Sequence, residues 1–314
     1  MTRTVSGNGL SQIGLGCSRI GSFNNPVPVR DIRNLLAQAL DLGVNVFDTA
    51  DIYGQGDSER EIGRALAGCR DDAFVVTKVG KTFSAKMRLL RPLKPLVKPL
   101  LAAAGRAANV GSPGSVRSAG NAVTARRGAY LAGNFDPRHL ERAVDASLRR
   151  LGMESVDGLL LHSPPASVVR DPAVQQWLDG LRRSGRVRHY GVSCDDADAL
   201  EAALALDGLD LLQVPLDLLD AAAQGEIAQR LSARGIVVFA REVIRLSPGI
   251  SAAAAVAGAC RRPEVTTAIV GTSRLEHLRE IVAAVSASGS LAAAGSDPLR
   301  TSSGASASFH AGAS

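Results

Sequence analysis

Four side chains with proton-transfer chemistry lie at or just after the ends of short apolar segments. Asp48 ends VNVFD and Tyr53 follows it closely, while Lys78 ends AFVVTK and His162 ends VDGLLLH. Each residue alone has an ordinary explanation, namely a helix cap, a packed ring, a solvated amine and a hydrogen-bonded core imidazole. An acid, a phenol, an amine and an imidazole at one face of a protein form a set that can move protons.

The segments that carry these residues belong to a repeating strand–helix pattern. Eight apolar runs alternate with eight stretches of helical period, from LSQIGLG at residue 10 to the helix RLEHLREIVAAVSA that ends at residue 287. The runs are continuously apolar, which is typical of parallel strands covered on both faces. The pattern therefore predicts an α/β fold, a (β/α)8 TIM barrel, with its chemistry at the carboxyl ends of the strands. A doubly wound open sheet is the alternative.

Several longer motifs resemble the aldo-keto reductase family. They are FDTADIYGQGDSEREIGRAL (47–66), VVTKVG (75–80), SLRRLGMESVDGLLLHSP (147–164) and GRVRHYGVS (185–193). The first block, with its D-T-A-x-x-Y-G core, is the most specific, and the resemblance covers nearly the whole barrel. It implies an oxidoreductase in which Asp48, Tyr53, Lys78 and His162 form a catalytic tetrad. We refer to these four residues as the tetrad.

The resemblance also implies a role for each member of the tetrad. Tyr53 would protonate the carbonyl oxygen of the substrate while a nicotinamide cofactor supplies a hydride. The ammonium of Lys78 would favour the phenolate and so lower the pKa of Tyr53. Asp48 would hold Lys78 in place, and His162 would donate a hydrogen bond to the substrate oxygen.

Residues in the second half of the chain match cofactor-binding positions of the family. Ser193 and Gln213 match the positions that bind the nicotinamide carboxamide, and VTTAIVGTSRLEHLREI (265–281) resembles the family's phosphate loop and following helix. The predicted cofactor contacts are Asp48, Ser193, Gln213, Arg241, Gly271, Thr272, Ser273, Arg274 and His277. Helix capping is an alternative role for Thr272 and Ser273. Arg274 and His277 favour NADPH, with NADH as the other candidate.

Three positions depart from the family's best-known pattern. Cys194 stands where Asn commonly follows the Ser, and Ile281 replaces an Asn that contacts adenine. Arg241 stands where an aromatic ring often stacks on nicotinamide. Its guanidinium could stack, pair with a phosphate, or form an ion pair with Glu242 or another acid.

The basic excess of the chain lies in one segment. Between Lys81 and Phe135 there are ten Lys or Arg residues and no Asp or Glu, so the rest of the chain has a net charge of −4 (+6 minus 10). This distribution argues against a general nucleic-acid-binding domain. The segment leaves the barrel soon after Lys78, and we consider either a solvated surface loop or a lid that attracts a phosphate- or carboxylate-bearing substrate. A membrane contact is a weaker alternative.

Composition predicts the remaining organisation. Residues 1–287 are expected to form one barrel domain, with 79–134 as an insertion after the third strand, and residues 288–314 a disordered Ala/Ser/Gly-rich tail. The four cysteines show no metal-ligand spacing, so no metal is expected. No apolar run is long enough to span a membrane, and we predict a cytoplasmic protein. The oligomeric state stays open.

The sequence leaves two functional classes in competition. The first is an NAD(P)H-dependent oxidoreductase that acts on an aldehyde, ketone or sugar, with NADPH favoured. The second is a nucleotide-sensing regulatory protein that keeps the same barrel and cofactor, because an intact tetrad does not exclude that role.

Overall fold

Eight parallel strands close into a barrel in the computed structural model, which describes residues 9–21, 28–83, 131–223 and 226–289. The order around the barrel is β1-β10-β9-β8-β7-β6-β3-β2. These strands are β1 (Ile13–Gly16), β2 (Val46–Asp48), β3 (Phe74–Val79), β6 (Val156–His162), β7 (Val187–Ser193), β8 (Leu211–Pro215), β9 (Val237–Arg241) and β10 (Thr267–Val270). The predicted (β/α)8 barrel is confirmed, and the doubly wound alternative is wrong because β1 pairs with both β2 and β10.

Helices follow the strands and cover the outside of the barrel. They are α1 (Val29–Asp41), α2 (Asp57–Leu66), α3 (Pro137–Leu151), α4 (Ala166–Val169), α5 (Pro172–Arg183), α6 (Ala197–Leu204), α7 (Leu216–Ala223), α8 (Glu226–Ala233), α9 (Ala252–Cys260) and α10 (Leu275–Ala287). The termini of α3 show why a helix forms there. Asp136 accepts hydrogen bonds from the backbone N–H groups of Arg138 and His139, and Gly152 ends the helix with a φ of 67°.

The helical region after β8 differs from its prediction. The segment after the corresponding apolar run, AAAQGEIAQRLSARG (221–235), has the sequence pattern of a single helix, whereas the structure has α7 and α8 in succession. Pro215 ends β8, and Leu216 and Leu219 are buried three residues apart on one face of α7. Their apolar side chains extend the apolar run of β8, so the start of the helix was hidden in the sequence.

Apolar side chains pack against both faces of the barrel wall. The larger lies between strands and helices, and a smaller cluster fills the barrel interior around Val76, Leu160 and Phe239. Because the interior is packed, ligands have access only at the ends of the barrel. The strands therefore present their polar terminal residues on a rigid rim.

The two ends of the insertion form a small antiparallel sheet. Strand β4 (Lys81–Phe83) pairs with strand β5 (Leu131–Gly133), with Lys81 opposite Gly133. This pairing has no local signal in the sequence, because its partners lie about fifty residues apart and neither run is strongly apolar. Residues 84–130, with every cation of the basic segment except Lys81, and the tail from residue 290 lie outside the described residues. The lid and the disordered tail stay predictions.

Close contact between β7 and β8 makes Gly191 a sensitive position. A Cβ atom there would lie 1.8 Å from the carbonyl oxygen of Leu211, so a methyl group must separate the two strands. We expect Gly191→Ala to lower the free energy of unfolding by about 1–3 kcal/mol or more, measured by urea denaturation. Gly180→Ala is the matched control. It lies within α5 with no atom within 4 Å of the added Cβ, and should stabilise the protein by about 0.5–1 kcal/mol. Equal effects of the two changes would contradict this account of the strand contact.

Candidate active site

The register of the barrel brings the predicted tetrad to one rim. Asp48 ends β2, Lys78 is the penultimate residue of β3, and His162 ends β6, three strands that are neighbours in the barrel. Tyr53 begins a short 3-10 turn in the connection between β2 and α2. The carboxyl ends of parallel strands meet at the same edge, so the four side chains lie together as predicted.

Asp48 and Lys78 form a buried ion pair. Lys78 Nζ lies 2.6 Å from Asp48 Oδ1 and also donates a hydrogen bond to the carbonyl oxygen of Thr49 at 2.9 Å. The Lys78 side chain is only 1% exposed. Burial alone would lower the pKa of Lys78, but the attraction and hydrogen bonds of Asp48 and Tyr53 together raise it. Lys78 is therefore held as a charged ammonium.

Tyr53 contacts both Lys78 and His162. Its phenol forms a side-chain hydrogen bond with Lys78, whose Nζ lies 5.1 Å from the centre of the Tyr53 ring. The rings of Tyr53 and His162 meet edge to face, with centroids 5.8 Å apart and planes at 88°. A small oxygen-bearing group next to the phenol would thus also lie near the imidazole.

Burial has a larger effect on the pKa of Tyr53 than the charge of Lys78 does. Loss of solvation around the phenol raises the pKa of Tyr53 above its ordinary value, and the charge of Asp48 acts in the same sense. Lys78 lowers the pKa as expected, but its effect is smaller than that of burial. The phenol consequently keeps its proton, as a proton donor must.

A strained turn fixes the position of Tyr53. The three residues that follow it, Gly54, Gln55 and Gly56, all have positive φ angles of 58°, 61° and 89°. A Cβ on Gly54 would lie 2.6 Å from the carbonyl oxygen of Ile20, so this loop packs backbone to backbone against the connection after β1. A non-glycine residue with positive φ costs free energy, and such outliers concentrate at functional sites.

His162 is neutral in the structure. Loss of solvation and the positive charges of Lys78, Lys81 and Arg241 lower its pKa well below the ordinary value. Its Nδ1 is buried and has no hydrogen-bond partner among the residues that the structure describes. A neutral imidazole carries one N–H donor and one acceptor nitrogen, so His162 can still donate a hydrogen bond.

The depressed pKa of His162 makes folding stability depend on pH. Below its ordinary pKa of about 6.5 the unfolded imidazole takes up a proton that the folded one does not, so stability is present above this pH and falls as the pH falls. The slope from this group is at most about 1.4 kcal/mol per pH unit. We expect urea denaturation of the wild type between about pH 7 and 5.5 to show a steeper loss than His162→Gln. Parallel slopes would show that His162 titrates normally.

The predicted nicotinamide contacts join the tetrad through hydrogen bonds. Ser193 Oγ donates to Gln213 Oε1 at 3.1 Å, and Gln213 Nε2 donates to Asp48 Oδ1 at 2.8 Å. The chain Ser193–Gln213–Asp48–Lys78 thus crosses the barrel mouth from β7 and β8 to β2 and β3. All four of these side chains are buried.

The predicted phosphate-binding residues lie in the connection from β10 to α10. Arg274 is the residue before α10, and its backbone N–H donates to Thr272 Oγ1 at 3.2 Å. Thr272 Oγ1 also donates to the carbonyl oxygen of Arg274, so Thr272 orders the loop before α10, but Arg274 is the N-cap residue and no side-chain capping hydrogen bond is present there. Gly271, Arg274 and His277 are exposed, so their polar groups are accessible to a ligand.

Arg241 forms the ion pairs that the sequence left as one alternative. Its guanidinium contacts the carboxylates of Asp195 and Glu242 and donates to the carbonyl oxygen of Cys194 at 3.0 Å. Glu242 has a φ of 61°, which is unfavourable for this residue type. These contacts hold the guanidinium between the ends of β7 and β9, so it is not free to stack on a nicotinamide ring.

A buried polar network around Glu59 was not anticipated from the sequence. Glu59 is fully buried and binds Thr77 Oγ1 at 2.7 Å and Arg150 Nε at 2.5 Å. Burial, followed by the charge of Glu59, raises the pKa of the nearby Asp51 well above its usual range. The sequence Ser58-Glu59-Arg60 could have indicated a helix cap but not the burial of Glu59, because a helical pattern does not show which acidic side chains face the protein interior.

The described residues contain neither a cluster of metal-binding side chains nor a helix that could span a membrane. No group of three or more His, Cys, Asp or Glu side chains in this part of the chain could hold a metal ion. None of its helices is long and apolar enough to cross a membrane.

Comparison with known proteins agrees with this geometry. The model of the aldo/keto reductase family matches residues 12–247. An NADH-specific methylglyoxal reductase of Escherichia coli is 28% identical over 73% of this chain, which spans only 62% of that relative's length. A 6-dehydroglucose reductase of Agrobacterium fabrum is 28% identical over 86% of this chain and 87% of its own.

Solved structures show the same architecture. A Pseudomonas aeruginosa protein assigned to the aldo-keto reductases superposes with a TM-score of 0.65 at 25% identity. The match covers 89% of this chain and 90% of that chain.

Proposed function

Because the chain belongs to the aldo/keto reductase family, we propose that it transfers a hydride between a nicotinamide cofactor and a carbonyl or alcohol substrate. The catalytic residues in this proposal are Asp48, Tyr53, Lys78 and His162. The observation that carries it is the hydrogen-bonded chain from Ser193 and Gln213 to Asp48 and Lys78, which ends beside the phenol of Tyr53. That chain joins a cofactor position to a proton donor.

Each residue of the tetrad has a defined task in carbonyl reduction. The cofactor supplies the hydride to the carbonyl carbon when it is bound. Tyr53 donates its proton to the carbonyl oxygen, and the adjacent ammonium of Lys78 stabilises the phenolate that remains. Asp48 keeps Lys78 charged, and the neutral imidazole of His162 donates a hydrogen bond to the substrate oxygen.

The donor set at the barrel mouth fits a dinucleotide. The hydroxyl of Ser193 and the amide of Gln213 can bind a carboxamide, because a hydroxyl and an amide each offer donor and acceptor atoms. The backbone N–H groups at the start of α10, beside Gly271, Thr272, Ser273 and Arg274, suit phosphate. Arg241 would reach the cofactor only by exchanging one of its present carboxylates, so we assign it the weakest contact of the set.

We infer a preference for NADPH over NADH from the exposed cations at the start of α10. Arg274 and His277 are both exposed, and none of the described acids forms an ion pair with Arg274, so its guanidinium is available to the 2′-phosphate. The relative that is named NADH-specific is the reason to measure both cofactors. Arg274→Ser should weaken NADPH binding and leave NADH binding nearly unchanged, as followed by quenching of Trp177 fluorescence or by calorimetry. Equal loss for both cofactors would contradict the assignment.

For the substrate we propose a small aldehyde, ketone or oxidised sugar, in line with the names of the two curated relatives. Lys81 and Arg241 both add positive charge at His162, which supports including carboxylate- and phosphate-bearing carbonyls. The cytoplasmic location stays a prediction from composition.

The test is a cofactor-oxidation screen with NADPH and NADH over aldehydes, ketones, aldoses and nucleotide-linked sugars. Oxidation of the reduced cofactor at 340 nm, dependent on substrate and on Tyr53, supports the enzyme. Tight cofactor binding without turnover across the panel would instead favour the nucleotide-sensing protein.

A further inference from the structure

We propose that a groove on the outer surface of the barrel, between two helices, binds a phosphate-bearing ligand. The groove is a cavity of about 990 Å³ between α2 and α3. Among the described residues that line it, the charged groups are six arginines and one carboxylate, that of Glu154. The arginines are Arg60, Arg64, Arg70, Arg149, Arg150 and Arg188, and we call this feature the arginine groove.

The arginine groove is separate from the candidate active site. It extends past the carboxyl ends of α2 and α3 to Arg70, just before β3, and to Arg188, the second residue of β7. These positions lie at the amino-terminal ends of the strands, whereas the tetrad lies at the carboxyl-terminal ends. A ligand in the groove would therefore not contact the proposed substrate or cofactor.

Buried carboxylates hold the inner arginines of the groove in fixed positions. Asp157, only 2% exposed, binds Arg70 at 2.7 Å and Arg188 at 2.8 Å. Glu59, fully buried, binds Arg150 at 2.5 Å. A guanidinium that is already oriented loses less conformational entropy when it binds an anion.

The outer arginines keep hydrogen-bond donors for a ligand. Arg64 and Arg188 have side chains that are 57% and 59% exposed, and each forms an ion pair with a carboxylate through one terminal nitrogen. Arg60 pairs with Asp57 at 3.0 Å through one nitrogen. Arg149 is exposed and forms no ion pair with any residue that the structure describes. Since a guanidinium has five N–H groups, each of these four arginines keeps further donors besides those paired with a carboxylate.

The pairing of the arginines with carboxylates indicates which kind of ligand the arginine groove can bind. The carboxylates beneath the arginines offset much of their net charge, so attraction depends on short-range hydrogen bonds rather than on a long-range field. Phosphate groups offer several oxygens that accept paired hydrogen bonds from guanidinium. None of the described residues that line the cavity is aromatic, so these residues offer a nucleobase no stacking surface. The volume suits a small molecule with one or two phosphates.

Calorimetric titration of the full chain with inorganic pyrophosphate tests the proposal. We compare the wild type with Arg64→Ser/Arg149→Ser, which removes two exposed cations from the groove, and with Arg183→Ser/Arg261→Ser, which removes two exposed cations elsewhere. The groove variant should bind at least about tenfold more weakly at ~0.15 M salt, and the matched control should bind like the wild type. Arg274→Ser should also leave this binding unchanged, because it alters only the proposed cofactor site.

The outcomes distinguish recognition of the phosphate group from recognition of a nucleotide, and both from an absence of specific binding. Adenosine diphosphate binding like pyrophosphate would support the proposal and identify the phosphate group itself as what is recognised, whereas binding at least about tenfold tighter than pyrophosphate would show that the nucleoside is recognised and would overturn it. Absence of binding by the wild type at ~0.15 M salt would overturn the proposal. Equal weakening in the groove variant and the control, or weakening by Arg274→Ser instead, would overturn it as well.

Discussion

Replacing Tyr53 with phenylalanine is expected to lower kcat for carbonyl reduction by about 10²–10⁴-fold and to leave the Kd for NADPH almost unchanged. The change removes only the hydroxyl, which is the proton donor, and keeps the ring that meets His162 edge to face. The substrate oxygen then becomes an alkoxide without a general acid at hand. Steady-state kinetics with the best substrate of the screen and a cofactor titration measure the two quantities.

A matched control separates loss of the proton donor from disturbance of the turn. Tyr190→Phe also removes a buried phenol hydroxyl, one that donates to Asp179 at 2.7 Å at the other end of the barrel. It should cost stability but leave kcat within about twofold, because it does not touch the tetrad. Normal turnover by Tyr53→Phe would refute the proposed mechanism, while a parallel loss of cofactor affinity would indicate a structural role for the hydroxyl.

The barrel could be predicted because its signals are local. Each strand is a continuous apolar run and each helix has its own period, so eight units can be counted without knowing any long-range contact. The exceptions follow from the same cause. The β4–β5 sheet joins runs about fifty residues apart, and the start of α7 continues the apolar run of β8, so neither carried a local signal.

The tetrad could be predicted as a set, but its linkage could not. Asp48, Lys78 and His162 were placed by counting strands, since carboxyl ends share one rim. The hydrogen bond from Gln213 to Asp48 joins residues 165 positions apart and depends on barrel closure, register and side-chain direction together. The sequence indicated Gln213 only as a cofactor contact.

Electrostatic details were the least accessible to the sequence. The charge of Lys78 was correctly expected to lower the pKa of Tyr53, but the larger effect of burial depends on how tightly the phenol is enclosed. Similarly, the ion pairs of Arg241 with Asp195 and Glu242 depend on the positions of two strand ends. Such terms require coordinates because they vary steeply with distance and solvent exposure.

Removing one member of the buried pair Asp48–Lys78 should cost far more stability than removing both. Asp48→Ala leaves the ammonium of Lys78 in an apolar setting with only the carbonyl oxygen of Thr49 and the phenol of Tyr53 as partners. An uncompensated buried charge of this kind costs about 3–5 kcal/mol. Lys78→Met leaves the carboxylate of Asp48 with the amide of Gln213 at 2.8 Å, so a slightly smaller loss is expected.

The double variant Asp48→Ala/Lys78→Met tests whether the pair serves catalysis or the fold. With both charges gone, the double variant should lose less stability than either single variant, so the coupling in a double-mutant cycle from urea denaturation should be at least about 3 kcal/mol. Turnover should not recover with stability, because neither the ammonium that stabilises the phenolate nor its anchor is present. Additive losses would mean that the two charges do not depend on each other in the folded protein. Recovered turnover would mean that Tyr53 donates its proton without Lys78, and the catalytic role of the pair would have to be abandoned.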